Sequence, residues 1–243
     1  MALTGANRGV GGNNTSATTV TGSTNANLSA GSLVIFAVYY DNSGSQGSDP
    51  FSSITDSIGN TWTSQIRTLN DPGAASAGAV GAIFTTNQDV GTIQSGTTIT
   101  LTFTTATVAK AWTLTEVTAA SGYKASVTNV TGVTYSTATP TLTSGTITVG
   151  ELLFGMAGGE GNSTTRTGDN DTTNGNWSTA QQTAYGSTTT AQQIISQYKI
   201  QTTTDSTQTY NPTFTTTHDG CLNLMTVDEV LLFPPKTYYI FLD

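Results

Sequence analysis

The sequence has few charged residues, one cysteine and one histidine. Lys and Arg together number 7 and Asp and Glu 15, so the formal net charge is −8. A field of that sign repels phosphate, which disfavours nucleic acid and anionic membrane surfaces as partners. The single Cys221 excludes an intramolecular disulfide framework. We therefore expect sheets, together with homo-oligomerisation, to supply stability.

Long apolar runs are also missing. The longest, Leu33 to Tyr40, has the length of one strand, whereas a membrane-spanning helix needs about 20 apolar residues. Residues 1–5 lack the basic-then-apolar pattern of a signal peptide. The sequence therefore predicts synthesis in a cytoplasm and no membrane partner.

Threonine and glycine are abundant instead, and threonine alternates with apolar residues. The clearest case is Thr98–Thr104, in which Ile99, Leu101 and Phe103 share one face. Strict period-two alternation is typical of a strand with one packed and one solvated face. We predict an all-β protein with minimal helix.

One pattern occurs twice along the chain. An apolar run, a polar loop and an Asp/Gly/Asn turn leading to Trp occupy residues 31–63 and again residues 150–178. About six strands per copy predict a double-sheet β-sandwich, jelly-roll-like, built by internal duplication. Each copy alone would have a thin core, so one intertwined sandwich is favoured over two tandem sandwiches.

The domain organisation follows from this repeat. Residues 1–16 are Gly- and Asn-rich and are predicted to form a polar N-terminal arm. The duplicated sandwich spans residues 17–233, with halves at about 17–120 and 121–233. A hydrophobic tail, residues 234–243, follows two prolines that stop strand continuation.

The tail contains the densest apolar cluster outside the core strands. It is either the last strand of the sandwich or a segment that docks on a neighbouring subunit, because an exposed apolar terminus of this size needs covering. On the second interpretation the partner-binding residues are Tyr238, Tyr239, Ile240, Phe241 and Leu242.

Catalytic signals are weak. His218 lies in a Thr-His-Asp-Gly sequence, which predicts a surface turn, and Cys221 begins an apolar strand, which predicts a buried core residue. No Gly-x-Ser-x-Gly elbow is present. We predict no catalytic residue, no cofactor and a non-enzymatic protein.

Three further groups have a structural and a functional interpretation. Glu116 and Glu229 lie near the ends of corresponding strands of the two halves. Glu151 and Glu160 flank the second central strand. No pair among these four stands out as the two carboxylates of a glycosidase. Residues 168–175 offer oxygen ligands for Ca²⁺ but lack the closing Glu of an EF-hand loop. We predict an Asx-rich turn there and no metal site.

The three tryptophans are predicted to be core anchors rather than a sugar platform: Trp62, Trp112 and Trp177.

Four segments carry a family resemblance: AGSLVIFAV (30–38), TDSIGNTWT (55–63), GELLFGMAG (150–158) and GDNDTTNGNWS (168–178). They resemble jelly-roll-like structural proteins of tailed phages, particularly aquatic ones, and the resemblance covers about residues 17–230. It implies a virion component, most of all a capsid decoration or cement protein, with the major capsid protein or tail subunits as partners. It supplies no catalytic residues.

Two alternatives remain. A tail-fibre or cell-surface module would bind a glycan or receptor through the loops at residues 41–50 and 158–176. A carbohydrate-active enzyme would need carboxylates such as Glu116 or Glu229.

Overall fold

The computed structural model describes residues 3–42, 48–72, 78–87, 91–161, 165–186 and 191–232. In these ranges the chain forms seventeen strands joined by turns. The described residues include no helix of the length and apolarity needed to cross a bilayer.

The N-terminal half forms two antiparallel sheets from eight strands. Their bounds are Thr4–Asn13 (β1), Ala17–Ser23 (β2), Leu33–Asp41 (β3), Phe51–Asp56 (β4), Thr63–Asn70 (β5), Ala79–Thr86 (β6), Thr98–Thr107 (β7) and Lys110–Thr118 (β8). Inner sheet 1 has the order β1-β8-β3-β6-β5, and outer sheet 1 has the order β2-β7-β4.

The C-terminal half repeats this plan with a more fragmented outer layer. Its strands are Tyr123–Thr137 (β9), Leu142–Ile147 (β10), Leu152–Glu160 (β11), Arg166–Thr167 (β12), Gln181–Tyr185 (β13), Gln192–Ile200 (β14), Ser206–Tyr210 (β15), Thr213–Phe214 (β16) and His218–Leu231 (β17). Inner sheet 2 has the order β9-β17-β11-β14-β13, and the pairs β10-β15 and β12-β16 lie outside it.

The strand order confirms a duplicated β-sandwich. Read from the same edge, β1, β8, β3, β6 and β5 correspond in turn to β9, β17, β11, β14 and β13. Backbone detail is repeated too: Gly31 and Gly150, just before β3 and β11, have φ of 74° and 94°. Both angles lie in the left-handed region that only glycine enters without strain. The Gly-led apolar run is therefore a repeated turn-and-strand unit.

The four layers stack so that the two inner sheets face each other. One core lies between outer sheet 1 and inner sheet 1, a second between the inner sheets, and a third outside inner sheet 2. Strand β3 is buried on both faces because it contributes to two cores: Val34, Phe36, Val38 and Tyr40 point outward, and Leu33, Ile35, Ala37 and Tyr39 point to the seam. We use "seam" for the contact between the inner sheets.

Two expectations require correction. No described strand of one half joins a sheet of the other, so the halves form two stacked sandwiches and not one intertwined sandwich. The thin core anticipated for each half is avoided because each inner sheet has two apolar faces. The predicted polar arm is mostly strand β1, paired with β8 along its length, and Leu3 before it is fully buried.

Strand β1 forms from a glycine-rich sequence because the glycines make room for large neighbours. A Cβ at Gly11 would meet the Trp112 ring at 2.5 Å, and one at Gly5 would meet the Tyr198 ring at the same distance. Tertiary packing, and not strand propensity, therefore places residues 4–13 in the sheet.

Buried hydrogen bonds fix how the halves meet at the seam. Asn223 on β17 accepts a hydrogen bond from Thr68 Oγ1 at 2.6 Å and donates to Gly81 O at 2.9 Å. Gln181 Nε2 donates to Leu114 O at 2.8 Å. Because buried polar groups are costly when unpaired, these bonds specify one relative position of the two sheets.

Candidate functional site

The predicted partner-binding residues, Tyr238, Tyr239, Ile240, Phe241 and Leu242, lie outside the described residues, as does all of the chain after Leu232. The segment that leads into them is described. Val230, Leu231 and Leu232 are 38%, 52% and 52% exposed at the end of β17. We call these three residues the C-terminal exit. It presents consecutive apolar side chains to solvent at the end of the described chain.

A cleft adjoins the C-terminal exit. It has a volume of about 280 Å³ and is lined by residues 30–32, the connector 118–124, Asn87 and Leu232. The main chain holds the exit against this connector, since Leu232 N donates to Gly122 O at 2.9 Å. The exit is therefore anchored at its backbone while its side chains remain exposed.

A second cleft, which also includes Asn87, lies at the edge of the seam. It has a volume of about 230 Å³, and we call it the hydroxyl cleft after its lining: Thr61, Thr63, Gln65, Thr85, Thr86, Asn87 and Ser126, with Leu33 and Val127. Thr86 Oγ1 and Asn87 Oδ1 are buried without a hydrogen-bond partner within the described ranges. Buried polar atoms of this kind call for a water or a ligand.

His218 is buried, which corrects the prediction of a surface turn histidine. It is 7% exposed and begins β17. Its Nδ1 lies 2.8 Å from Glu160 O and its Nε2 lies 3.0 Å from Thr216 Oγ1, so both ring nitrogens are occupied. Burial lowers its pKa below 6.5. Phe214 packs edge-on against the ring, which leaves His218 a structural role between β16 and β17.

Cys221 is a core residue, as predicted. It is fully buried at the seam, and its Sγ donates to Thr68 O at 3.0 Å. Burial raises the pKa of the thiol to about 12. A thiol of that pKa is a poor nucleophile near neutral pH because it is the thiolate that reacts.

The candidate carboxylates Glu116, Glu229 and Glu151 are engaged with structural partners. Glu116 is paired with Arg8 at 2.6 Å and accepts from Ser29 N. Glu229 accepts from Ala120 N at 2.8 Å, and Glu151 accepts from Thr148 N. Glu116 and Glu151 therefore bind partners within their own halves, and Glu229 binds the connection between the halves.

Glu160 forms a hydrogen bond across the seam. Its Oε2 accepts from Gly78 N at 3.0 Å across the seam. Burial raises the pKa of this carboxyl, and the main-chain donor only partly opposes that. Glu160 contributes both a side-chain acceptor for Gly78 and a carbonyl acceptor for His218.

The loop at residues 168–175 is an Asx-rich turn, as predicted. Asp169 Oδ1 accepts from Asp171 N at 2.8 Å, and Lys199 Nζ donates to Asp171 Oδ2 at 2.9 Å. Burial alone would raise the pKa of Asp171, but the hydrogen bonds from Lys199 and Thr173 lower it to about 2. Within the described ranges, no cluster of three or more His, Cys, Asp or Glu side chains is placed to hold a metal ion.

The tryptophans are anchors, as predicted. Trp112 and Trp177 are 5% and 9% exposed and belong to the cores of the first and second halves. Trp62 packs against the first core, and its Nε1 donates to Asp56 Oδ2 at 3.0 Å, which ties the ring to its own Asp-led turn.

Sequence reasoning missed the two clefts and the seam contacts. The clefts are assembled from segments that are far apart in sequence, so no local signal marks them. Asn223 did have a signal, because it is a lone amide inside the apolar stretch Leu222–Val227. A polar residue at such a position indicates a buried hydrogen bond.

No protein-family model, curated protein or solved structure matches this chain.

Proposed function

We propose that this chain is a non-enzymatic virion structural protein of a tailed phage, a decoration or cement protein of the capsid shell. Its partners are then the major capsid protein or neighbouring subunits, and its place is the assembled particle. The observation that carries the proposal is the C-terminal exit, in which Val230, Leu231 and Leu232 are exposed and continue into an apolar tail. Contiguous exposed apolar side chains mark interaction surfaces.

Two other features support a scaffold role. The groups most suited to nucleophilic or acid–base chemistry, Cys221 and His218, are buried with their polar atoms occupied. The two sandwiches are also held in one position by the hydrogen-bonded seam. A preorganised body with the exposed apolar side chains of the C-terminal exit suits attachment to a shell, because a preorganised partner loses little entropy on binding.

A binding experiment with particles tests this proposal. Purified particles that lack the protein are mixed with the full chain or with a chain that ends at Phe233, and the bound fraction is measured after sedimentation. We expect the full chain to bind stoichiometrically and the truncation to weaken binding by about tenfold or more. A truncated chain that decorates particles normally would refute attachment through the tail.

Point variants test whether binding depends on the exit itself or on any exposed apolar side chain of the protein. Leu231→Ser and Leu232→Ser, each made at a side chain that is 52% exposed, are expected to weaken binding. Val149→Ser, at a residue of 51% exposure in the turn before β11, is the matched control and is expected to bind normally. Melting temperatures of all variants report whether the fold is retained.

The hydroxyl cleft favours the second candidate, a glycan-binding module of a tail fibre or cell surface. Its lining is uncharged and rich in hydroxyl and amide groups, and it includes Thr86 Oγ1, which is buried and has no hydrogen-bond partner among the described residues. Neutral sugars are bound by such groups. A glycan array with a hit that Thr86→Val abolishes would establish this function, and an array without any hit would argue against it. The loops at residues 41–50 and 158–176 lie partly outside the described residues.

A further inference from the structure

Strand β9 is a long edge strand of inner sheet 2. Its fifteen residues, Tyr123–Thr137, pair on one side with β17. The register shifts once, next to Thr128, and the nine residues Asn129–Thr137 then pair without interruption with the segment from Thr226 back to His218. An antiparallel edge strand points alternate N–H and C=O groups away from its sheet.

The outward groups of this segment are nearly all unpaired. Within the described ranges, the one main-chain group of Asn129–Thr137 that is bonded outside β17 and β9 is Tyr135 O, which accepts from Asn70 Nδ2 at 3.5 Å. That distance is at the limit for a hydrogen bond. The segment therefore offers a free template about 30 Å long at roughly 3.4 Å per residue.

The sequence of this segment lacks the usual protection of sheet edges. Residues 125–137 contain no charged residue and no proline, although charges and prolines are what commonly keep edges from pairing. Val133 in its centre is 38% exposed. Threonine and valine at neighbouring positions are strong strand formers that make favourable cross-strand pairs.

The other edges of the inner sheets are protected. Strand β1, which holds the same position in the first half, has a register shift beside Arg8. Gly5 O accepts from Tyr198 Oη, and Arg8 O accepts from Asn25 N. Strand β5 carries Arg67 and a register shift of its own, and β13 has only five residues. Among these edges, within the described strands, β9 alone has a long segment without charge, residues 125–137.

We propose that Asn129–Thr137 pairs with the same segment of a second copy of this chain, antiparallel about a two-fold axis at Val133. The occupant follows from charge: a strand without charges meets no like charge when it pairs with itself, and it offers no complement to a charged partner strand. The pairing joins two five-stranded inner sheets into one continuous sheet. Edge-to-edge addition of this kind is a recurrent binding mode in which main-chain hydrogen bonds supply affinity.

Sedimentation equilibrium of the full chain tests the pairing. We expect a particle of twice the chain mass of 25.1 kDa. Val133→Lys places like charges opposite each other at the axis and is expected to raise the dimer dissociation constant by about tenfold or more. Val10→Lys is the matched control, because Val10 is 45% exposed on the equivalent strand β1, and it should leave the dimer intact.

A covalent probe tests the register. Directly opposite residues of an antiparallel pair have Cα atoms about 4.5–5.5 Å apart, which suits a disulfide. Val133→Cys is expected to form a covalent dimer under oxidising conditions, whereas Val10→Cys is not, and the native Cys221 is fully buried and does not compete. A monomeric full chain, or a dimer that persists in Val133→Lys, would overturn the proposal. So would a dimer lost on deleting residues 234–243, which would identify the tail as the partner strand.

Discussion

The aromatic ring of Tyr39 lies where a side chain at position 158 would be. A Cβ built on Gly158 would fall well inside van der Waals contact of the ring. Tyr39 belongs to the central strand of inner sheet 1 and Gly158 to the equivalent strand of inner sheet 2. The lack of a side chain at Gly158 therefore lets the two inner sheets approach, and the contact between Tyr39 and Gly158 sets the distance between the sheets.

Gly158→Ala is the first prediction. The added methyl group must displace the Tyr39 ring or separate the sheets, and overpacking of this kind costs about 1–3 kcal/mol. Urea denaturation measures the loss of unfolding free energy. Gly145→Ala is the control, since its Cβ would meet its nearest neighbour, Asn129 Nδ2, at an ordinary 3.5 Å. Equal stability of the two variants would show that the Tyr39 ring does not require glycine at position 158.

Asn223→Leu is the second prediction. The substitution leaves Thr68 Oγ1 and Gly81 O without their amide partner at the seam. An unpaired buried polar group costs about 1–3 kcal/mol, so we expect a loss of about 2–4 kcal/mol. Asn129→Leu, at an exposed position of the same sheet, should change stability little. A stabilised Asn223→Leu variant would show that apolar packing alone positions the halves.

Lys110→Met is the third prediction. Lys110 is fully buried at the start of β8, and its Nζ donates to Thr107 O at 2.7 Å, Thr15 O at 2.8 Å and Asn13 Oδ1 at 3.2 Å. Burial lowers its pKa to about 8. Methionine has a similar volume but leaves these oxygen acceptors without their hydrogen-bond donor. We therefore expect the free energy of unfolding to fall by about 2–3 kcal/mol.

The exposed Lys124 provides the control for that substitution. Lys124→Met removes the same charge but leaves no buried acceptor without a donor. Its unfolding curve should therefore overlay that of the wild-type chain. If Lys110→Met behaved in the same way, the cluster of acceptors would have no energetic role.

The fourth prediction concerns pH and His218. Burial lowers the pKa of His218 below 6.5, so the unfolded chain binds a proton more readily than the folded chain. The contribution of His218 to stability is therefore full above pH 6.5 and is lost as the pH falls from there through the folded-state pKa. Because the sequence has one histidine, its proton NMR titration reports this pKa directly.

His218→Gln isolates the effect. The difference in unfolding free energy between wild type and variant should shrink as the pH falls below 6.5. A midpoint at or above 6.5 in the NMR titration, or a difference that does not vary with pH, would contradict a buried neutral imidazole.

The sequence predicted those parts of the fold that depend on local patterns. The apolar run Leu33–Tyr40 indicated a strand buried on both faces, and the repeated Asp-led turns with Trp indicated the duplication. Strand β1 was missed because its glycines argue against a strand, and they are explained by close contacts with distant segments, such as the rings of Trp112 and Tyr198. Strand propensity is a local property of the sequence and does not predict such long-range packing.

The candidate site was predictable only in part. The apolar tail stands out by composition, but the C-terminal exit and the two clefts depend on how residues 30–32, 85–87 and 118–124 come together. His218 was misjudged because Thr-His-Asp-Gly is typical of a turn, while its burial comes from Glu160 and Phe214, which are supplied by other strands.

The order of the four layers has a consequence for biosynthesis. Inner sheet 1 is complete once β8 has left the ribosome, but the surface that covers its seam face is supplied by β11, β14 and β17. At about 5–20 residues per second, the ribosome needs roughly 5–20 s to deliver them. During that interval the nascent first half carries an uncovered apolar face, so chaperone binding to ribosome-bound chains should be strongest between the synthesis of β8 and of β17.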